Sequence, residues 1–169
     1  MSNVHRLRTA DKIFFIATNL NQGEQPFHEP EYQIIAETIV SQRRRLGFLF
    51  FGYVLMPDHW HALILPRSPV TISDVLQNVK RVSSLKINRL RQTRGSRWQH
   101  QFWDRFVRHA KEFGERLEYM HLKSVHKGLI EKPEQWRWSS YNNFSLEQSV
   151  VAACPIQIDY VHLPDNYRA

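Results

Sequence analysis

FLFFGYVLMPDHWHALIL, residues 48–65, decides how this chain is read. FLFFGYVLM (48–56) and HWHALIL (59–65) are both strand-like, and only Pro57-Asp58 separates them, so they form an antiparallel hairpin. Strand side chains alternate, which puts His59, His61, Leu63 and Leu65 on one face and Trp60, Ala62 and Ile64 on the other. Two residues along a strand is about 6.6 Å, close enough for two imidazoles to converge on one ion. The plain alternative is a pair of hydrogen-bonded structural histidines at a strand start. Their place just past a tight turn favours a metal near a surface groove, with the third ligand coming from elsewhere.

Working outward from the hairpin, KIFFIATNL (12–20) reads as a strand that breaks into polar loop, and helical spacing follows over 29–46. That helix ends in Arg43-Arg44-Arg45 before Gly47, a cationic C-terminus with a glycine stop. A second helix spans 71–94, its apolar stripe formed by Ile72, Val75, Leu76, Val79, Ile87 and Leu90 around Ser83. Residues 101–109 alternate as a fourth strand, with Phe102, Trp103 and Phe106 read as core. A third helix runs over 111–127 and stops at Gly128. The order β-α-β-β-α-β-α predicts an α+β fold: a ferredoxin-like, split βαβ antiparallel sheet with helices on one face. Residues 1–144 form the expected domain and 145–169 an irregular tail.

The 169 residues suffice for one domain with a substantial core. Lys and Arg number 23 against 16 acids, a net charge of +7, which favours a polyanionic partner and nucleic acid before membrane. The single cysteine, Cys154, excludes an internal disulfide framework and suits a reducing cytoplasm. The N-terminus lacks a signal-peptide apolar stretch, and the greasiest run, residues 46–56, contains two glycines and falls short of the ~20 residues of a membrane span. A cytoplasmic protein without a membrane partner is expected.

Nine of the 23 cations fall within residues 80–108, opposed there only by Asp104 and interleaved with Trp98, Phe102, Trp103 and Phe106. A solvated helix face explains part of this. The loop 92–98 combines cations with an exposed-looking indole, the composition of a groove that stacks and neutralises single strands. The expected nucleic-acid contacts are Lys80, Arg81, Lys86, Arg89, Arg91, Arg94, Arg97 and Trp98.

In FGERLEYMHLKSVHKG, residues 113–128, the inward stripe is Phe113, Leu117, Met120 and Ser124. Tyr119 lies off it, with Lys123 and His126 one and two turns further along the same side. A helical tyrosine is ordinarily a boundary residue of an amphipathic helix. Given a polarised electrophile it is also a nucleophile.

With these stretches together, the chain resembles the HUH single-tyrosine transposases, named for a histidine, a bulky apolar residue and a histidine. Tyr53-Val54-Leu55-Met56-Pro57-Asp58-His59-Trp60-His61 carries the signature. Tyr119-Met120-His121-Leu122, Gly128-Leu129 and Trp138-Ser139-Ser140-Tyr141 are similar to the branch associated with repetitive extragenic palindromes. The resemblance implies that His59 and His61 bind Mg²⁺ or Mn²⁺ and that Tyr119 attacks a phosphodiester of single-stranded DNA. It also implies a 5′-phosphotyrosine link, a free 3′-hydroxyl that can reverse the step, and hairpin or palindromic DNA as partner. Monomer and homodimer both occur in the wider family.

The chain departs from that pattern along this helix: the family usually has arginine where this chain has His126 and proline where it has Ser124, and a third departure falls on the metal site. Family members carry asparagine four residues after the tyrosine, and related branches glutamine, whose amide oxygen completes the metal site; here Lys123 stands there. A protonated lysine has three donors and no acceptor. The open outcomes are a neutral Lys123 as ligand, His126 as its substitute, a Lys123 cation on the scissile phosphate, or a hairpin-binding protein that no longer cuts. A replication-type nickase shares the histidines but places its tyrosine differently. A zinc hydrolase would need an HExxH or acidic ligand set that is absent from the sequence.

Overall fold

The computed structural model describes residues 4, 5, 7, 11–164 and 166–168. Its elements are β1 (Val4–His5), β2 (Phe14–Asn19), α1 (Glu29–Leu46), β3 (Leu49–Leu55), β4 (His59–Leu65), α2 (Ile72–Arg91), β5 (Trp103–Phe106), α3 (Ala110–His126), α4 (Gln148–Ala152) and β6 (Tyr160–Val161). Four strands make one antiparallel sheet in the order β3-β4-β2-β5, the split βαβ arrangement that the element order predicts. β4 and β2 are therefore central. The Met56–Asp58 turn is fixed by three backbone bonds: Met56 N donates to His59 O, Phe27 N to Pro57 O and Leu20 N to Asp58 O.

The expectation of helices on one face is corrected. α1 and α2 cover the face that presents Ile16, Trp60, Ala62 and Ile64, whereas α3 covers the opposite one through Met120, Leu117 and Phe113 over Phe15, Phe51, Leu63 and Leu65. All seven residues of β3 are buried. A strand that apolar must be covered on both sides, and the stripe of α3 supplies the second cover.

β3 also carries a bulge. Its register against β4 slips between Phe50 and Gly52, so Phe51 and Gly52 both face α3. A Cβ on Gly52 would lie 2.6 Å from Leu117 Cδ1 and 3.2 Å from Met120 Cε, so the missing side chain is what lets α3 lie this close. The WRWSSY segment seals the outer edge of β3: Leu55 N donates to Trp138 O, and Trp136 Nε1 to Leu55 O at 3.0 Å. Ser140 Oγ accepts from Tyr53 N at 3.0 Å and lies 2.8 Å from His121 Nε2, joining β3 to α3 two residues past Tyr119.

Residues 145–169, expected as irregular, contain α4 and β6, the latter parallel to β1. Ile156 and Ile158 reach the core, and Asp159 accepts from Phe50 N and pairs with Arg43 and His5. β5 is shorter than the expected 101–109 and exposed at every residue, so Trp103 and Phe106 are not core. An edge strand reading Trp-Asp-Arg-Phe has a charge for each face, which prevents burial on either. Leu90, placed on the α2 stripe by spacing, is half exposed, because the last turn is held instead by the Arg91–Glu31 ion pair at 2.7 Å. No helix among the described residues is long and apolar enough to cross a membrane.

Candidate active site and nucleic-acid interface

His59 opens β4 and His61 follows on the same face, as alternation requires. Their rings lie 5.1 Å apart, centroid to centroid, and nearly perpendicular. His61 is buried, stacks on Phe15 at 5.3 Å, and its Nδ1 donates to Ile16 O at 3.2 Å. Since the carbonyl can only accept, the proton of a neutral His61 sits on Nδ1 and Nε2 keeps its lone pair. His59 Nδ1 lies 2.6 Å from the Asp58 carboxylate, which selects the same tautomer.

Burial pushes the His61 imidazole down to about 3, with His59 and Lys123 adding to the effect and the Ile16 carbonyl opposing it. Burial lowers His59 as well, against the pull of Asp58. Both rings are therefore neutral at pH 7, the protonation state that ligates a cation. Asp58 and Ile16 O occupy the positions that orient metal-bound imidazoles.

Tyr119 projects from α3 over this pair. Its ring meets His61 edge-on at 5.6 Å and Phe15 at 6.1 Å, and it remains 42% exposed. Lys123 Nζ donates to Tyr119 Oη at 2.7 Å and sits 4.7 Å from the ring centroid. The histidine pair thus offers two neutral nitrogen donors, and the position where the resemblance implies a third metal ligand holds a lysine bonded to the phenol oxygen. Among the described residues no group of three or more His, Cys, Asp or Glu is placed to hold a metal. His126, the last residue of α3, is exposed.

The expected nucleic-acid contacts divide into two sets. Arg81, Arg89 and Arg94 are exposed and Lys86 half-buried, along α2 and the loop after it. Of these four, Arg81 lines a groove of about 670 Å³ together with Leu85, Asn88, His100 and Phe102; Lys86, Arg89 and Arg94 lie outside its lining. The other four are structural in this fold. Lys80 is buried, and its Nζ donates to the carbonyls of Gln99, His100 and Gln101 at 2.8, 3.1 and 3.3 Å. Arg91 is paired with Glu31, and buried Arg97 with Glu24 at 2.7 Å. Trp98, read as exposed, is buried against Phe27, and its Nε1 donates to Ser83 Oγ at 2.9 Å. The indole joins the core because Ser83 in the α2 stripe offers its N–H a partner.

Sequence reasoning missed the surface beside Tyr119. Trp103 and Arg105 of β5 face the same side as His61 and Phe15, and Arg116 of α3 stacks on Phe15 at 4.9 Å and on Trp103 at 6.0 Å. The signal was available: two oppositely charged neighbours, Asp104 and Arg105, mark an edge strand rather than a buried one.

The split βαβ sheet thus carries two oriented imidazoles on a central strand, faced by a tyrosine borne on α3. The chain belongs to the IS200-like transposases, whose family model, described as "Transposase IS200 like", matches residues 19–118. That span includes both histidines and ends one residue before Tyr119. The chain is similar to the REP-associated tyrosine transposase of Escherichia coli (strain K12), at 22% identity over 147 residues and 84% of each chain. A relative of the same family name from Haemophilus influenzae is 26% identical over 152 residues, covering 84% of this chain and 86% of that one. Among solved structures, a REP-associated tyrosine transposase bound to a REP hairpin superposes with a TM-score of 0.69, at 20% identity and over 83% of each chain.

Proposed function

We propose that this protein binds hairpin-forming DNA and cuts and rejoins a single strand beside it through a covalent 5′-phosphotyrosine at Tyr119. The observation that carries this is the placing of Tyr119 Oη, exposed to solvent, bonded to Lys123 and set over neutral His61. Tyr119 Oη attacks phosphorus and its proton leaves to water. The P–O3′ bond breaks, and the 3′-oxygen departs and is protonated. The freed 3′-hydroxyl, or another, attacks the phosphotyrosine in reverse, so no external energy source is needed. Lys123 holds the phenol oxygen and places a positive charge where negative charge gathers in the transition state. His59 and His61 would hold Mg²⁺ or Mn²⁺ through Nε2, an ion that when bound polarises a non-bridging phosphate oxygen. Arg81, Lys86, Arg89 and Arg94 supply the phosphate contacts for the hairpin stem.

Lys123 at a ligand position also favours a second reading, a hairpin-binding protein that has lost cleavage. One experiment separates the two: wild type, Tyr119→Phe and Lys123→Asn are incubated with Mn²⁺ and single-stranded hairpin DNA, and protein–DNA adducts are resolved on a denaturing gel. An adduct in wild type that vanishes in Tyr119→Phe is the expected result. Hairpin binding by wild type with an adduct only in Lys123→Asn would establish the second reading and overturn the first.

A further inference from the structure

β5 is an edge strand of the sheet, and it turns two residues toward the side that holds Tyr119. Trp103 pairs with Ala17 and Arg105 with Phe15, which sets both on the His61 face. Trp103 is 47% exposed although large and aromatic, and its ring and that of Tyr119 both abut Phe15, at 5.8 and 6.1 Å. A shallow cavity next to them is lined by Arg105, Arg108, Arg116 and Tyr119 together with Glu112 and Glu115. Glu112 is buried and lies 3.2 Å from Arg105 and 3.8 Å from Arg116, and its other oxygen accepts from Arg108 N at 2.9 Å. The carboxylate thus anchors two guanidiniums while Arg105 stays substantially open to solvent. Glu115 is partnered by Lys111 at 3.8 Å.

An exposed indole with Arg116 against it and Arg105 two residues along the same strand face, near a cavity lined by Arg108, fits the π-face of an unpaired base and its phosphates. We propose that this face is a stacking subsite for one unpaired nucleotide of the substrate strand. Trp103 takes the base, and Arg105, Arg108 and Arg116 take phosphates flanking the one that Tyr119 attacks. This assignment rests on the reading of Tyr119 as the nucleophile for a single strand. It makes Trp103 a positioning residue that sets which phosphodiester reaches Tyr119.

The test is the affinity of the full chain, in metal-free buffer, for a labelled hairpin with and without a single-stranded flank. Trp103→Ala is expected to weaken binding of the flanked hairpin roughly tenfold and to leave the flankless hairpin unchanged. Trp103→Phe should recover most of the loss. Arg108→Gln should reduce the salt slope for the flanked DNA alone by about 0.7, the value for one single-strand phosphate. Equal affinity of wild type and Trp103→Ala for the flanked DNA, or an equal loss on both DNAs, would overturn the subsite and leave the hairpin reading intact. A Trp103→Ala change in oligomeric state without a change in flank affinity would make this face a contact between copies and likewise overturn it. Wild type that binds neither DNA would remove the hairpin reading itself.

Discussion

Lys123 lies one helical turn beyond Tyr119, so its ammonium reaches the phenol oxygen with little strain, at 2.7 Å. Under the proposed function this cation steadies the charge that develops as the phenol loses its proton and attacks, and removal of one such preorganised donor costs about a hundredfold in rate. Lys123→Ala is therefore expected to slow adduct formation by about that factor while changing hairpin affinity less than about threefold, with Lys123→Arg intermediate. Single-turnover cleavage and equilibrium binding measured side by side check this; cleavage insensitive to Lys123→Ala would remove Lys123 from the chemistry. At this scale the sequence was legible where period alone decides direction. His59 and His61 share a face because strands alternate, and Tyr119 leaves the apolar stripe because helices turn. It was illegible where a partner lies far along the chain. Arg97 finds Glu24 and Arg91 finds Glu31 across sixty or more residues, and Trp98 finds Ser83, so three expected DNA contacts are internal ones.

The element that most controls the site is α3, and the bulge at Phe51 and Gly52 sets its height above the sheet. Gly52→Ala places a methyl 2.6 Å from Leu117 Cδ1, with Met120 Cε and Ser140 Oγ at 3.2 and 3.3 Å behind it, a crowding that pushes α3 outward unless Leu117 changes rotamer. We expect a loss of about 1–2 kcal/mol in stability and a larger proportional loss in adduct formation, since Tyr119 moves with the helix. Chemical denaturation and the adduct assay on the same variant test the pair; unchanged values in both would mean that Leu117 swings aside freely. A lone glycine inside FLFFGYVL is the sequence mark of close approach. The uninterrupted apolar character of that strand is the mark of a sheet covered on both faces. Together these two features point to α3 on the second face, where element order alone points to one covered face.

For the whole molecule, the buried neutral histidines tie stability to pH. His121 is held down to about 4 by burial, and His61 to about 3 chiefly by the same cause. Unfolded, each titrates near 6.5. Between those limits the unfolded chain binds more protons than the folded one, so stability is complete above about pH 6.5 and falls as the pH drops toward 4. His121 alone contributes up to about 3 kcal/mol of that loss, at 1.36 kcal/mol per pH unit of difference. Urea melts at pH 7 and 4.5 should show it, with a flatter dependence in His121→Gln, which keeps an amide for Ser140. A His121→Gln slope equal to wild type would place the titration elsewhere.

Both imidazoles and the tyrosine lie within one chain, the tyrosine ring resting 5.6 Å from His61. Under the proposed function each molecule carries both imidazoles and the attacking tyrosine itself, so two crippled molecules have nothing to lend each other. A mixture of His61→Ala and Tyr119→Phe chains should stay dead at any ratio, and turnover per wild-type molecule should survive dilution. Inactive copies added in excess would act as competitors for DNA and never as poisons of a shared site.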